Sequence, residues 1–459
     1  MTNKTLLKNN FYEVTVEDIC GNGNGIAKID GFVVFIPNCA VFDKLKIKII
    51  KVTKNYAVGK IEEIISPSKD RIGSRCEVFE KCGGCVFQHV SYESECEYKN
   101  KLINDSFLHI AGINVKTEKF NGAKDIFNYR NKVIYPIGTD KDGKLVSGFF
   151  ANVSHRIVEH KACVIGKSIF SDIKNDLVDI FSKYNISAYD EFTGKGLLRN
   201  IYMRANMDGK VLLCIVINGE KINDSDTEKN IARKITKLYP DIIGVVLNIN
   251  KSSGNKVLSD KYRCIFGKDY ITDILCGKEF KILPGAFYQI NHDQTEILYN
   301  IALEFADIKP GDTIFDFYCG IGTIGIILAK PGSNLVGVEI SKAAAESAIF
   351  NAKLNNVNEK FICLDADEAL DKINFSQYKP DVIILDPPRK GCGKDAVEKI
   401  ARLGAEKIVY ISCNPATLAR DAAVFETLSY KVERVQGVDL FPRTGHVETV
   451  ALMTKVYDD

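Results

Sequence analysis

The sequence predicts a multidomain α/β protein, with a small β-barrel at the N-terminus, an α+β region in the middle and a doubly wound α/β sheet at the C-terminus. Its 459 residues amount to about three domains at roughly 150 residues each. Short strands separated by turns fill the first part of the chain, and from about residue 296 strands alternate with helices, which is typical of a parallel sheet. We expect domains at 1–68, 69–285 and 286–459.

Composition and charge exclude several classes of protein. Apolar residues make up 46% and charged residues 26% of the chain, which argues against collagen-like, wholly disordered and membrane-bundle proteins. The net charge is only +2, so a nucleic-acid partner would have to meet a local basic patch. The longest charge-free stretch, 317–329, is too short to span a bilayer, and the first residues lack the apolar segment of a signal peptide. We therefore expect a cytoplasmic, monomeric protein with no membrane partner.

The N-terminal strands carry a concentration of lysines. Six lysines and no acidic residue lie between Lys44 and Lys60. In the segment Lys44–Lys48 they alternate with apolar residues, so one strand face would be core and the other cationic. This face is a plausible phosphate-binding surface. The alternative is that the lysines only solubilise an exposed strand and protect a sheet edge.

The middle region combines both kinds of secondary structure. Residues 91–108 have helical character. Further on, the β-rich segment Val211–Ile217 precedes a predicted helix near 224–238. This mixture favours an α+β domain.

Four of the 14 cysteines form a pattern. Cys76, Cys82 and Cys85 lie within ten residues, and Cys163 could complete a shell of four thiolates. In a reducing compartment, clustered thiols are more often metal ligands or reactive groups than disulfides. The spacing alone allows either zinc or an iron–sulfur cluster.

The C-terminal region contains a candidate nucleotide site. After the strand Thr313–Phe317, the segment Gly320–Gly325 has the form G-x-G-x-x-G, and Glu339 ends the next strand 19 residues after Gly320. A carboxylate there can accept hydrogen bonds from ribose hydroxyls. Later strand ends provide Asp365 and Asp386. The set favours a nucleotide-like cofactor, and both NAD and S-adenosylmethionine fit it.

A thiol and a carboxylate follow at the same edge of the predicted sheet. Cys413 comes directly after the strand Lys407–Ser412, where a helix N-terminus would favour the thiolate, and Glu448 precedes the apolar strand Val450–Met453. Taken singly, Cys413 could be a small buried hydrophobe and Glu448 a surface ion-pair partner. Together with a methyl donor they fit methylation of uracil at C5, which needs a thiolate to add to C6 and a base to remove the C5 proton.

These residues resemble the S-adenosylmethionine-dependent RNA uracil-5-methyltransferases. The matching segments, in family order, are Gly285–Asn291, Asp316–Gly322, Gly337–Glu339, Leu385–Gly391, Ser412–Pro415 and Gly445–Glu448. The resemblance implies a Rossmann-like class I methyltransferase domain, with Cys413 as the nucleophile and Glu448 as the proton acceptor. It places the following residues around S-adenosylmethionine: Gln289, Tyr318, Gly320, Glu339, Asp365 and Asp386. It also places Phe287 beside the flipped target base, where it could stack. The resemblance further implies that a helix over about 91–120 packs on the methyltransferase domain.

The same resemblance bears on the cysteines and on the N-terminus. Ribosomal-RNA members of the family carry the three-plus-one cysteine set around a 4Fe-4S cluster, which implies this cluster at Cys76, Cys82, Cys85 and Cys163, with a structural role and with zinc as the alternative. The first 68 residues resemble the TRAM module, an OB-like RNA-binding barrel, at Gly21–Ala27 and Lys54–Gly59. This context favours RNA binding by the lysine face.

The expected substrate is 23S ribosomal RNA, because related transfer-RNA enzymes generally lack both the TRAM barrel and the cysteine set. A transfer-RNA uracil-5-methyltransferase is the alternative within the family. An NAD-dependent oxidoreductase would explain the glycine fingerprint but would leave Cys413 and Glu448 without a role. A non-catalytic RNA-binding iron–sulfur protein would also leave that pair unused.

Overall fold

A computed structural model describes residues 6–372 and 379–457. The strands within these residues form a six-stranded N-terminal sheet, a seven-stranded middle sheet, a two-stranded sheet and an eight-stranded C-terminal sheet. The longest helix has 16 residues, and within the described residues no helix is long and apolar enough to cross a membrane.

The N-terminal sheet is built from the glycine-rich and lysine-rich segments. Its strands are β1 (Phe11–Thr15), β2 (Asp18–Ile19), β3 (Gly25–Ile29), β4 (Phe32–Ile36), β5 (Lys44–Val52) and β6 (Ala57–Ser66). They are ordered β1-β5-β6-β4-β3-β2, and β4 pairs with β6 in parallel. Along β5, Leu45, Ile47 and Ile49 are buried while Lys44 and Lys46 are exposed. The alternation predicted from the sequence is therefore present, with a packed face and a cationic face.

A helical segment follows the N-terminal sheet. Helix α1 (Tyr92–Ser106) begins at Ser91, whose Oγ accepts a hydrogen bond from the Ser94 N–H at 3.3 Å. A short π-helical segment (Phe107–Ala111) continues it and ends at Gly112, which has a left-handed φ of 72°. The strand β7 (Lys119–Asn121) comes next.

The middle sheet carries its helices on one side. Its elements are β8 (Lys132–Thr139), β9 (Leu145–Phe150), β10 (Ile157–Glu159), α2 (Ser168–Lys183), β11 (Leu198–Ala205), β12 (Val211–Ile217), α3 (Ser225–Leu238), β13 (Ile242–Ile249) and β14 (Tyr262–Gly267). The strand order is β10-β9-β8-β11-β12-β13-β14. Phe170 and Leu177 of α2 and Ile231 of α3 are buried in one core with the strands. The predicted strand at 211–217 and helix near 224–238 are both present.

The two-stranded sheet leads into the C-terminal region. It consists of β15 (Ile271–Leu275) and β16 (Lys278–Ile282). The later elements are α4 (His292–Ala306), β17 (Thr313–Phe317), α5 (Thr323–Leu328), β18 (Asn334–Glu339), α6 (Lys342–Leu354), β19 (Glu359–Cys363), α7 (Ala366–Lys372), β20 (Val382–Leu385), α8 (Lys394–Arg402), β21 (Lys407–Ser412), α9 (Pro415–Glu426), β22 (Tyr430–Val438) and β23 (Glu448–Lys455).

The C-terminal sheet is parallel over five strands and mixed at one end. Its order is β19-β18-β17-β20-β21-β23-β22-β7, and β23 is antiparallel to both β21 and β22. The sequence predicted a parallel doubly wound sheet, and the five strands from β19 to β21 in the sheet order form its parallel part. Helix α9 leads to β22, which leaves the position next to β21 open, and β23 then returns antiparallel to fill that position.

The segment α1 to β7 packs on the C-terminal sheet rather than on the middle one. Ile103 and Phe107 are buried together with Leu418 and Phe425 of α9. Strand β7 pairs in parallel with β22 at the edge of the eight-stranded sheet. This sheet and its helices position the candidate site.

Candidate active site

The candidate site lies where the central parallel strands of the C-terminal sheet end. Phe317 is in register with Val338 of β18 and with Leu385 of β20. The residues that follow these three strand positions are Tyr318, Glu339 and Asp386. Because the carboxyl ends of parallel strands meet at one edge, the structure brings these predicted site residues together at the place where such sheets bind ligands.

Cys413 and Glu448 lie near each other at this edge, since the charge of Glu448 acts on the Cys413 thiol. Strands β21 and β23 pair antiparallel, and their ladder ends with Ser412 in register with Thr449. Cys413 is the next residue after Ser412, and Glu448 directly precedes Thr449. The insertion of β23 beside β21 therefore creates the thiol–carboxylate pair.

Buried carboxyl groups give the site an unusual acid–base character. Burial raises the pKa of Asp386 to about 7. Burial and the neighbouring Asp386 raise the pKa of Glu448 well above its usual value. The Oε2 atom of Glu448 is buried and has no hydrogen-bond partner. A carboxyl group with a raised pKa is a stronger base once it is ionised, which suits a group that must accept a proton from carbon.

The Cys413 thiol differs from the expectation drawn from its position before a helix. Burial, the charge of Glu448 and, more weakly, that of Asp386 raise its pKa to about 11, although Cys413 lies just before α9. The group that opposes this rise is Arg389, through its charge and a side-chain hydrogen bond. Burial and the charge of Arg389 lower the pKa of His446 to about 4, so its ring is neutral. A neutral ring can accept a hydrogen bond, and Nη2 of Arg389 donates to Nε2 of His446 at 3.0 Å.

The glycine turn after β17 forms a cradle with a carboxylate. Gly320 and Gly322 have left-handed φ angles of 57° and 81°. The Gly320 N–H donates to Oε2 of Glu339 at 3.0 Å, and the Ser341 N–H donates to its Oε1 at 2.7 Å. Nothing lies within 4 Å of the place that a Gly320 Cβ would occupy. The open turn and the strand-end carboxylate fit a nucleoside cofactor such as S-adenosylmethionine.

The remaining predicted site residues lie at different depths. Asp365 follows β19 and is partly buried. Gln289 is buried between β16 and α4, and its backbone carbonyl oxygen accepts a hydrogen bond from Nδ2 of Asn131 at 3.0 Å. Phe287, two residues earlier, is 63% exposed. An exposed aromatic ring next to a buried polar residue is suited to stacking on a base.

The four predicted cysteine ligands border one cavity. Cys76, Cys82, Cys85 and Cys163 all line a cavity of about 540 Å³ below β8 and β9. All four are free thiols. Within residues 6–372 and 379–457, however, no group of three or more His, Cys, Asp or Glu side chains is arranged to hold a metal ion. The thiols are the donors that an iron–sulfur cluster uses, so the set fits such a group in chemistry. We call residues 76–87 the cysteine loop.

The cationic face of the N-terminal sheet includes an aromatic ring. The Nζ atoms of Lys46 and Lys48 lie 5.9 and 5.7 Å from the ring centre of Phe11, and Phe11 is 53% exposed. Cations beside an exposed ring are the groups that bind single-stranded RNA through phosphates and stacking.

Sequence reasoning missed several groups of the site. Arg389 and His446 lie inside quoted motifs without an assigned role, and the basic residue three positions after Asp386 was a usable signal. Asp316 is fully buried under the cradle, where burial raises its pKa to about 8 while the Gly325 N–H donates to it at 2.9 Å. Tyr299 of α4 is close to the site as well, since burial and the charges of Asp386, Asp316 and Glu448 raise its pKa. This proximity depends on the tertiary fold and has no local sequence signal.

The fold and the site together define a Rossmann-like α/β enzyme that binds a nucleoside cofactor beside a thiol–carboxylate pair. A family model described as tRNA (Uracil-5-)-methyltransferase matches residues 221–456, and the TRAM domain model matches residues 7–61. The chain is 40% identical to an uncharacterized RNA methyltransferase of Clostridium tetani, with 97% of each chain covered. It is 38% identical to another such methyltransferase from Staphylococcus aureus, over 98% of this chain and 99% of the other.

A solved structure is also similar over almost the whole chain. It is the Pyrococcus abyssi tRNA (uracil-54, C5)-methyltransferase in complex with S-adenosyl-L-homocysteine, with 26% identity, a TM-score of 0.77, and coverage of 96% of this chain and 100% of the other. The protein belongs to the S-adenosylmethionine-dependent RNA uracil-5-methyltransferase family, and it carries a TRAM domain. The predictions of the family, of S-adenosylmethionine as cofactor and of an N-terminal TRAM module are thereby confirmed.

Proposed function

We propose that the protein methylates C5 of a uridine in 23S ribosomal RNA through a covalent adduct between Cys413 and C6 of the base. The observation that carries this proposal is the pairing of β21 with β23, which ends at Ser412 opposite Thr449 and so brings the adjoining residues Cys413 and Glu448 together. A nucleophile and a base at one sheet edge, beside the cradle at Gly320, are the groups that C5 methylation of uracil requires.

Each side chain has a defined task in this reaction. The Cys413 thiol releases its proton to solvent, and the thiolate sulfur adds to C6, which breaks the C5–C6 double bond and makes C5 the nucleophilic carbon of an enolate. S-adenosylmethionine supplies the methyl group to C5. Glu448 then takes the C5 proton, the electron pair of that bond re-forms the C5–C6 double bond, and the Cys413 thiolate leaves C6. Arg389 stabilises the thiolate at the first and last steps, since it lowers the pKa of Cys413 against the effect of burial.

The cofactor and the target base occupy neighbouring positions at the strand ends. The residues assigned to S-adenosylmethionine are Gln289, Tyr318, Gly320, Glu339, Asp365 and Asp386. Glu339 accepts from the ribose hydroxyls, and Gly320 allows close approach of the ligand. Phe287 stacks on the flipped uracil, whose unstacking costs on the order of a few kcal/mol in a loop.

The direct test of this chemistry is Cys413→Ala. The variant should bind S-adenosylmethionine as the wild type does but transfer no methyl group to RNA. Equilibrium dialysis with labelled cofactor measures the first property, and incorporation of label into an unmodified RNA transcript measures the second. Detectable turnover by Cys413→Ala would refute the covalent mechanism.

Two observations bear on the choice of RNA. The TRAM barrel and the four-cysteine set favour 23S ribosomal RNA. The similarity to a solved transfer-RNA (uracil-54, C5)-methyltransferase favours the second candidate, a transfer-RNA substrate. Mapping 5-methyluridine in both RNAs from a deletion strain and its complemented counterpart separates the two, because only the true substrate loses and regains the modification.

The cysteine site is proposed to hold a 4Fe-4S cluster on Cys76, Cys82, Cys85 and Cys163, with a structural role. Support comes from the four free thiols around one cavity. Iron and sulfide analysis of protein purified without oxygen tests the proposal, and Cys163→Ser should lose the iron. Stoichiometric zinc without iron would favour the alternative metal.

The remaining parts of the proposal concern organisation. The proposed domains are 1–68 for the TRAM barrel, 69–285 for the cysteine-bearing middle region and 286–459 for the methyltransferase domain, with the segment from α1 to β7 packed on the last of these. The abundance of free thiols supports a reducing cytoplasm as the place of action, and the enzyme acts as a monomer on this proposal. Gel filtration and cell fractionation test these two points.

A further inference from the structure

The connection between β22 and β23, residues 439–447, is largely buried although it has no regular secondary structure. Val438 and Glu448 pair with each other at its two ends. Backbone polar groups in a buried loop need hydrogen-bond partners that a sheet does not provide. The groups that form hydrogen bonds with this connection therefore determine the backbone position of Glu448 at its end.

Arg443 is the central residue of this connection. It is only 2% exposed and has a left-handed φ of 69°. Its backbone oxygen accepts from the N–H groups of Val86 and Phe87 at 2.9 and 3.2 Å. Its Nη1 atom donates to the carbonyl oxygens of Phe87 and Val90 at 3.1 and 2.8 Å, and its own N–H donates to Oε1 of Glu95 at 2.6 Å.

A buried ionic network surrounds these contacts. Lys99, itself 2% exposed, lies 2.7 Å from Oε1 of Glu95 and 2.8 Å from Oδ1 of Asp439. It also donates to the carbonyl oxygen of Phe441 at 3.2 Å, and the Tyr92 hydroxyl donates to Oδ2 of Asp439 at 2.8 Å. Burying charges costs free energy that hydrophobic packing would not, so the network serves to fix one conformation of the connection.

Glu448 depends on that conformation. Its Oε2 atom has no hydrogen-bond partner, so no hydrogen bond to this atom fixes the carboxylate. The position of the carboxylate therefore depends on the backbone that carries Glu448. The residues that Arg443 contacts include Val86 and Phe87 of the cysteine loop, and Val86 directly follows Cys85. Arg443 thus joins the cysteine loop to the segment that presents the base.

On the basis of the proposed function, we infer that Arg443 is a positioning residue for Glu448. It holds the 439–447 connection against the cysteine loop, so that its loss slows removal of the C5 proton more than it slows methyl transfer. A misplaced base by about 1 Å is enough to reduce a proton-transfer rate by one to two orders of magnitude, roughly 10- to 100-fold.

The experiment uses full-length enzyme and an unmodified transcript tritiated at C5 of uridine, either 23S ribosomal or transfer RNA, whichever the wild type methylates. Carbon-14 methyl transfer in the first turnover reports bond formation, and tritium release reports proton removal. Arg443→Met should transfer methyl within about two-fold of wild type but release tritium about ten-fold more slowly, with a denaturation-resistant protein–RNA adduct accumulating. Arg443→Lys should restore part of the release rate.

The matched control is Arg434→Met on β22, the strand that leads into the 439–447 connection. Arg434 pairs with Glu118 and Glu304, and its replacement should leave both rates unchanged. If Arg443→Met fails to fold by thermal melting, Glu95→Gln is measured in its place with the same expected result. Equal slowing of methyl transfer and tritium release, or no slowing at all, overturns the inference. Absence of any adduct in Glu448→Gln would instead refute the proposed function.

Discussion

Removal of the Arg389 cation should reduce the thiolate fraction of Cys413. Arg389 is exposed to solvent, so we take the attraction between unit charges about 4 Å apart in water, about 1 kcal/mol, rather than a buried value. Because about 1.4 kcal/mol corresponds to a tenfold change in an equilibrium constant, Arg389→Gln should leave roughly five-fold less thiolate at any pH below the pKa. The pKa of Cys413, already raised to about 11 by burial and by Glu448, should rise further.

The assay is alkylation of Cys413 by iodoacetamide as a function of pH, followed by mass spectrometry of the peptide that contains it. Because the thiolate is the reactive form, a raised pKa moves the alkylation profile to higher pH. Lys390→Gln, which removes the adjacent exposed cation, is the control and should leave the profile in place. An unchanged profile in Arg389→Gln, or a shift to lower pH, would refute this reasoning.

Three further predictions concern stability and RNA binding. Asp43 is buried, and desolvation raises its pKa, but the ion pair with Arg71 and the hydrogen bonds from the Ala40 and Ser68 N–H groups together lower that pKa below its usual value. Asp43→Asn should destabilise the protein by about 3 kcal/mol near neutral pH. This difference should shrink as the pH falls below about 3.9 through the folded-state pKa. Phe425→Ala, in the core beneath α1, should cost about 3–5 kcal/mol in urea unfolding. Replacing Lys46 and Lys48 by Ala should reduce the slope of log Kd against log salt by about 1.4.

Each of these predictions has a clear contrary result. A destabilisation by Asp43→Asn that persisted unchanged in acid would show that the carboxylate charge is not its cause. A loss below about 1 kcal/mol for Phe425→Ala would mean that the contact with α1 is not part of the cooperative core. An unchanged salt slope for the double lysine variant would place RNA phosphates elsewhere than on the face around Phe11.

Local patterns made much of the fold predictable. The alternation of strands and helices from residue 313 onwards gave the parallel part of the C-terminal sheet, because each element has its own hydrophobic period. The alternation in Lys44–Lys48 gave the orientation of β5 in the same way. The motifs ending β17, β18 and β20 identified the ligand-binding edge, since carboxyl ends of parallel strands meet there.

The parts that could not be predicted depend on contacts distant in sequence. No local pattern indicates that β23 inserts between β21 and β22, yet that insertion brings Cys413 and Glu448 near each other. The raised pKa of Cys413 likewise depends on burial and on Glu448, which the position of Cys413 before α9 does not reveal. The contact of Arg443 with the cysteine loop joins residues more than 350 positions apart. No local sequence pattern around Arg443 or Phe87 indicates that the two residues meet.

The measurement that tests the covalent mechanism most directly is adduct formation by Glu448→Gln. The glutamine keeps the shape of the side chain but cannot accept the C5 proton, so a methylated adduct with RNA should accumulate. A gel shift that survives denaturation, with mass spectrometry assigning the bond to Cys413 and its loss in the Cys413→Ala, Glu448→Gln double variant, is the predicted result. Normal turnover by Glu448→Gln, or an adduct at a different residue, would contradict the assignment of Cys413 and Glu448 as nucleophile and base.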